Sequence, residues 1–193
     1  MYDATDFSHL LSMEGFSNAL LNNHFTLYQG YVKNTNMLLE NLSSGEVGTP
    51  EYNEMKRRFG WEWNGMRLHE LYFGNLSKEN KKSGNDSPLC KKMTDDFGSI
   101  ENARKNFTQT AGMRGIGWVV MYYDKKADQL YNVWIDDHAT NHLTGCAPLL
   151  VMDMWEHAFM IDYGLKKPDY MTAFIKNVDW EEVGKRYEAA CKN

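Results

Sequence analysis

Two long stretches of helical periodicity, joined by a short loop, constrain the first 76 residues of this 193-residue chain. Residues 15–41 contain no proline, and the apolar side chains that recur there at helical spacing are Phe16, Leu20, Leu27, Tyr31, Leu38 and Leu39. The loop at 43–50 is rich in serine and glycine. A second helical stretch follows at 50–76, with soft spots at Gly60 and Gly65. Two such helices with a short connection predict an antiparallel helical hairpin.

The composition changes in the second half of the chain. Residues 117–123 and 130–135 are β-branched and aromatic, and the turn-forming residues between them predict a β-hairpin. A third, short apolar strand is predicted at 148–152. Helices are predicted at 88–97, 99–110, 155–163, 168–176 and 180–190. The order predicts an α+β fold, in which an N-terminal antiparallel helical hairpin is followed by a three-stranded antiparallel sheet surrounded by helices.

A polar, glycine-containing segment at 78–87 separates the two halves. Such segments are typical of domain boundaries, because few contacts cross them. We therefore expect an N-terminal α-hairpin domain at 1–82 and a C-terminal α/β domain at 83–193.

Charge and cysteine usage exclude several classes of protein. The formal net charge of −5 argues against a nucleic-acid partner, which needs a basic surface. No apolar run approaches the length of a membrane helix, so we expect no membrane partner. Cys90, Cys146 and Cys191 are an odd number of widely separated thiols. This usage indicates a reducing compartment, and we expect a cytoplasmic location.

Two pairs of residues carry the candidate chemistry. His24 lies in the middle of the first predicted helix and His69 late in the second, so an antiparallel hairpin can bring the two imidazoles level. Asp153 ends the third predicted strand, and His157 follows four residues later. A carboxylate and an imidazole at this spacing face the same way on a helical turn. Both can bind one ion, although the same spacing is common in salt bridges.

The sequence around this pair resembles the iron/manganese superoxide dismutase family. The heptapeptide DMWEHAF at 153–159 is similar to the metal-binding signature of that family. Similar flanking blocks occur in the family's order: FGS at 97–99, GIGW at 115–118, and NVDWEEV at 177–183 followed by RY at 186–187. The resemblance implies one Fe or Mn ion per subunit, bound by His24, His69, Asp153 and His157. It also implies disproportionation of superoxide to oxygen and hydrogen peroxide, with the ion cycling between the III and II states.

Residues beyond the four ligands are also implied by the resemblance. Tyr31 corresponds to the gateway tyrosine, and Trp118, Trp155 and Phe73 to walls of the cavity. The side chain that hydrogen-bonds the solvent on the ion comes from the second helix in some members, at the position of Gly65 here. In others it comes from the loop after the hairpin, where His138 stands. Gly65 leaves room for a side chain from that loop, so we assign the role to His138. The similarity of this loop to iron-using members favours iron slightly.

Three features bear on assembly and on the first helix. Glu156 corresponds to the residue that bridges to a ligand histidine of the opposite subunit, which implies a homodimer. His24 and Tyr31 are separated by one residue fewer than is usual in the family. A local change in helical winding would absorb the difference; without it one of the two is misassigned, and the absence of another histidine nearby favours keeping His24. Met160 stands where family members usually carry a tyrosine.

Two alternatives to an antioxidant oxidoreductase remain open at this point. One is a catalytically altered relative with a structural or interaction role that retains the metal site, and the altered first helix is its best support. The other is a metal-dependent hydrolase, which would need a general base near the open coordination position.

Overall fold

The computed structural model describes residues 1–79, 81, 82, 84 and 86–192, and its first half is a helical hairpin. Helix α1 covers Asn18–Ser44 and α2 covers Pro50–Gly74. Helix α1 begins three residues later than predicted, because Gly15 takes a left-handed conformation with φ of +81° and Ser17 caps the helix. Thr49 caps α2 in the same way. Gly60 and Gly65 were expected to be soft spots, but α2 runs through both without a break.

Two shorter helices follow the hairpin. Helix α3 covers Pro88–Phe97 and α4 covers Ile100–Ala111, with Ser99 as the N-cap of α4. Gly98 separates the two helices with φ of +82°, a conformation that favours glycine. The predicted boundary segment contains Asn80, Ser83 and Asn85, which lie outside the described residues, and the division into two domains at residue 82 stays a prediction.

The sheet contains three antiparallel strands in the order β2-β1-β3. Strand β1 covers Gly117–Asp124, β2 covers Gln129–Asp136 and β3 covers Ala147–Asp153. Strand β1 is central and its first seven residues are all buried, which explains its continuous apolar and aromatic sequence. In this register Trp118 pairs with Asp153, so the start of β1 lies beside the end of β3.

The segment after β3 differs from its prediction. We expected one helix at 155–163, but the chain forms a short 3₁₀ turn at Glu156–Ala158 and then helix α5 at Met160–Tyr163. Trp155 is extended, and its backbone N–H donates to Oδ1 of Asp153 at 2.8 Å. This side-chain-to-backbone bond competes with helical hydrogen bonding, so the helix does not start at Trp155.

Helices α6 at Lys167–Lys176 and α7 at Trp180–Lys192 complete the chain. Asn75, which is fully buried at the end of α2, joins the two halves. Its side chain accepts from the backbone of Val151 in β3 at 2.7 Å, and its carbonyl accepts from Asp179 before α7 at 2.9 Å. None of the described helices combines the length and the apolar character needed to cross a bilayer. The predicted α+β architecture is confirmed.

Candidate metal centre

Four side chains from four different elements meet in the interior. His24 comes from α1, His69 from α2, Asp153 from the end of β3 and His157 from the 3₁₀ turn. Oδ2 of Asp153 lies 3.1 Å from Nε2 of His157, 3.2 Å from Nε2 of His24 and 3.7 Å from Nε2 of His69. One donor atom from each residue lies within 4.8 Å of all the others. The four residues implied by the family resemblance therefore form a single cluster.

The N-terminal pair comes together because α1 and α2 are antiparallel. His24 and His69 face each other across the hairpin, with ring centroids 5.0 Å apart. The C-terminal pair comes together for a reason other than the one expected. Asp153 and His157 do not share an α-helical turn, since the chain between them is extended and then 3₁₀. The tight turn after β3 brings His157 back toward the carboxylate.

Hydrogen bonds orient the donors at the centre. Nδ1 of His69 donates to the carbonyl of Gly65 at 2.6 Å, which leaves Nε2 of His69 facing the cluster. Oδ1 of Asp153 accepts from the Trp155 backbone, which leaves Oδ2 for the cluster. The hydroxyl of Tyr170 donates to the Asp153 carbonyl at 2.7 Å and lies 3.2 Å from the hydroxyl of Tyr72. These partners hold the histidine and the carboxylate in one orientation.

Burial and charge favour the protonation states that bind a metal. Burial lowers the pKa of His24 and lowers the pKa of His69 further, so both imidazoles are neutral near pH 7. Burial alone would raise the pKa of Asp153, but the His157 and His24 imidazoles outweigh it and hold that pKa well below its usual range. Neutral imidazoles and an ionised carboxylate are the forms that donate to a cation.

The cluster fits a transition-metal ion. Nε2 of His69 is buried without a hydrogen-bond partner, which is costly unless an ion or solvent satisfies it. Metal bonds of about 2 Å place donor atoms of one ion roughly 3–4 Å apart, which matches the distances to Oδ2 of Asp153. Three nitrogens and one carboxylate oxygen suit iron or manganese. His157 is the one partly exposed member, with 26% of its side chain accessible.

Aromatic rings enclose the cluster. Phe73 contacts His24 with ring centroids 4.8 Å apart, and Trp118 contacts His69 at 4.9 Å. Trp155 stacks on His157 at 5.9 Å. The three residues expected to be walls therefore lie against the cluster.

Trp61 is a further wall that sequence reasoning missed. Its ring lies 4.9 Å from that of His138 and 6.2 Å from that of Trp155. Spacing on α2 could have identified Trp61 from the sequence. Positions 61, 65 and 69 are four residues apart, so Trp61 shares one face of the helix with Gly65 and His69.

Tyr31 and His138 meet at the edge of the cluster. The Tyr31 hydroxyl lies 2.8 Å from Nε2 of His138, and Nε1–H of Trp118 donates to Nδ1 of His138 at 3.0 Å. Since an indole nitrogen only donates, Nδ1 is an acceptor and a neutral His138 carries its proton on Nε2. His138 therefore donates to the Tyr31 oxygen, and the hydroxyl proton of Tyr31 is available to another acceptor.

Burial shifts the pKa values of both groups. It lowers the pKa of His138 to about 4, so that the imidazole is neutral near pH 7. Burial, followed by the charge of Asp153, raises the pKa of Tyr31 to about 12. The pair is therefore an uncharged donor and an uncharged phenol at physiological pH.

Two expectations about Tyr31 need correction. Gly65 was expected to leave room for His138, but the ring of Tyr31 packs directly against it. A change in helical winding was expected between His24 and Tyr31, but α1 is α-helical over its whole length. Both side chains nevertheless reach His69, with ring centroids 5.0 Å and 5.2 Å from its imidazole. Seven residues are about two helical turns, so an undistorted helix places both on one side.

Comparison with known proteins finds a matching family model and relatives over most of the chain. Residues 85–186 match the family model of the C-terminal domain of iron/manganese superoxide dismutases. The chain is 36% identical over 190 residues to the iron superoxide dismutase of Aquifex pyrophilus, covering 94% of this chain and 88% of that protein. It is 38% identical over 174 residues to a manganese superoxide dismutase of Haloferax volcanii, covering 86% and 84%. It is 34% identical over 187 residues to the iron superoxide dismutase of Cupriavidus metallidurans, covering 94% and 93%. The chain thus belongs to the iron/manganese superoxide dismutase family.

Proposed function

We propose that this protein is a superoxide dismutase with one Fe or Mn ion held by His24, His69, Asp153 and His157. The observation that carries the proposal is the set of three imidazole nitrogens, those of His24 and His69 buried and that of His157 partly exposed, around one carboxylate oxygen of Asp153. When bound, the ion supplies one-electron redox chemistry, by which two superoxide anions and two protons become oxygen and hydrogen peroxide.

The protein's own residues would bind the ion, exclude water from it and donate protons. Asp153 contributes the single negative charge of the donor set, so a bound divalent or trivalent ion leaves net positive charge that attracts an anion. Phe73, Trp118 and Trp155 limit the solvent that reaches the cluster. We assign His138 to the hydrogen-bond network of the solvent on the ion. The sequence predicted that His138 donates to that solvent directly. Because its one N–H is directed to Tyr31, we propose instead that it acts through the Tyr31 hydroxyl, whose proton can be donated to another acceptor.

A homodimer in the cytoplasm completes the proposal. Glu156 is exposed beside the partly exposed His157, which suits a bridge to a second subunit. Exposed apolar side chains follow nearby in the sequence at Met160, Ile161 and Leu165, and exposed apolar surface favours association. Cys90, Cys146 and Cys191 are all unpaired, which supports the cytoplasmic assignment.

Iron is our assignment over manganese, and it rests on the similarity of the His138 loop to iron-using members. The test is to load the purified metal-free protein separately with Fe and with Mn and to compare the rates of superoxide disproportionation per bound ion. A higher rate with Mn would overturn this part of the proposal.

Metal analysis and a superoxide-quenching assay on one purified sample test the main proposal. We expect about one Fe or Mn per chain together with quenching. Replacement of the ligand His24→Ala abolishes both, whereas the same change at the exposed His9, His9→Ala, alters neither. A stoichiometric ion without quenching would overturn the proposal and favour a catalytically altered relative that retains the metal site.

A further inference from the structure

The ring of Tyr31 occupies the space beside Gly65 of α2 where a side chain of residue 65 would otherwise lie. A Cβ built on Gly65 would lie 2.6 Å from both Cδ1 and Cε1 of Tyr31 and 3.0 Å from its Cγ. Carbon atoms in packed interiors are separated by about 3.5–4.0 Å. Any residue other than glycine at this position therefore displaces the phenol ring.

The backbone of the same glycine holds a residue of the cluster. The Gly65 carbonyl accepts from Nδ1 of His69 at 2.6 Å. The ring of Tyr31 stacks on His69 with centroids 5.2 Å apart and planes inclined by 30°, and its hydroxyl reaches Nε2 of His138 at 2.8 Å. One residue without a side chain thus contacts both a proposed ligand and the proposed gateway residue.

We propose that Gly65 is the positioning residue of Tyr31: it sets the depth of the phenol ring and thereby aligns the hydroxyl with His138. It follows that α2 cannot contribute a side chain of its own at this point. Tyr31 occupies the space that a longer residue at 65 would need, and its hydroxyl accepts from Nε2 of His138 there. The functional meaning of this alignment rests on the proposed function, whereas the alignment itself does not.

Gly65→Ala tests the proposal, with Gly60→Ala as its matched control. Both glycines lie in α2, and a Cβ at Gly60 meets nothing within 4 Å. Alanine favours a helix over glycine, and we expect Gly60→Ala to raise the melting temperature of the metal-loaded protein by about 2–4 °C. We expect Gly65→Ala to lower it by at least as much. An increase for Gly65→Ala equal to that for Gly60→Ala would overturn the proposal.

A second pair of variants keeps the test decisive if Gly65→Ala fails to fold. In a Tyr31→Ala background the obstructing ring is gone, so we expect the double variant Tyr31→Ala/Gly65→Ala to fold and to melt about 2–4 °C above Tyr31→Ala alone. A decrease of the same size in both backgrounds would show that Tyr31 is not the group that needs the glycine.

A spectroscopic measurement tests whether Gly65 aligns the Tyr31 hydroxyl with His138 or only packs against the Tyr31 ring. We would label the full-length protein with ¹⁵N-histidine, load it with redox-silent Ga³⁺, and identify the Nε2–H signal of His138 by its loss in His138→Gln. We expect this signal to persist in Gly60→Ala and to shift or exchange away in Gly65→Ala. An unchanged signal in Gly65→Ala would overturn the proposal. Neither readout uses superoxide, so an inactive native protein would count against the proposed function alone.

Discussion

The helical half and the sheet half of the molecule each supply two residues to the cluster, but they do so by different means. The hairpin presents His24 and His69 from the interiors of helices of 27 and 25 residues. The sheet half presents Asp153 from the last position of a strand and His157 from a three-residue 3₁₀ turn. One half therefore relies on long regular elements, and the other on a short irregular connection.

The comparison teaches where support is needed. The His69 imidazole, inside a long helix, is oriented by a hydrogen bond within its own element, to the Gly65 carbonyl one turn earlier. Asp153 is the last residue of its strand, and two partners outside the strand hold it: the Trp155 backbone bonds its carboxylate and the Tyr170 hydroxyl bonds its carbonyl. Variants that act on one half at a time can show whether the two modes of support differ in strength.

The largest expected effect on metal binding comes from Asp153, whose Oδ2 is the common neighbour of all three imidazoles. Asp153→Asn removes the only negative charge of the donor set, and we expect metal affinity to fall on the order of 100-fold or more, with loss of superoxide quenching. Metal analysis after dialysis measures this. His24→Gln should lose the ion as well, since both halves are needed. Asp169→Asn, at an exposed position of α6, serves as the charge-matched control. Full metal content in Asp153→Asn would contradict the assignment of this half.

The next largest effect is expected at His138, which is not one of the four proposed ligands. We expect His138→Ala to retain the ion, to shift its reduction potential and to lower activity by about 10–100-fold, because groups that orient a metal site tune it at that level. Redox titration and rate measurement on the same sample check this, with the exposed His9→Ala as control. An unchanged reduction potential and an unchanged rate would contradict the role proposed for His138.

The buried His138 also predicts how stability depends on pH. Its pKa is about 4 in the folded protein and about 6.5 when unfolded. As pH falls from about 6.5 to 4, the unfolded chain binds a proton that the folded chain does not, so stability decreases with falling pH. We expect this group to contribute on the order of 3 kcal/mol across that window. Denaturant unfolding of the native protein and of His138→Gln at several pH values measures the difference, and equal slopes would contradict the assignment.

The smallest effect tests the support of Asp153 itself. Tyr170→Phe removes the hydrogen bond to the Asp153 carbonyl and leaves Tyr72 without its partner, so we expect a loss of about 1–2 kcal/mol in unfolding free energy. Tyr131→Phe, at an exposed position of β2, is the matched control. A loss of metal affinity along with stability would show that the sheet half depends on this external partner. Unchanged stability would show that the Trp155 backbone bond suffices.

Regular elements were predictable because their signals are local. The Pro88–Phe97 helix and the central strand β1 follow from apolar periodicity, capping residues and turn composition, which act within a few residues. The segment after Asp153 was mispredicted although the cause is also local: the Asp153 side chain accepts from the Trp155 backbone, and such a bond competes with the helix that the residue types favour. Trp61 was missed because its contact with His138 joins residues 77 positions apart in the chain, in α2 and in the loop after β2.

The sequence alone specified the helical hairpin and the three strands, and it contained the DMWEHAF motif at 153–159. Periodicity, turn residues and a contiguous motif each involve residues that are close together in the chain. Only the three-dimensional structure decided that three imidazoles converge on one oxygen of Asp153, that Trp118 fixes the proton of His138, and that Tyr31 fills the space beside Gly65. Those outcomes depend on the packing of side chains far apart in sequence, where tenths of an ångström determine which group occupies a given volume.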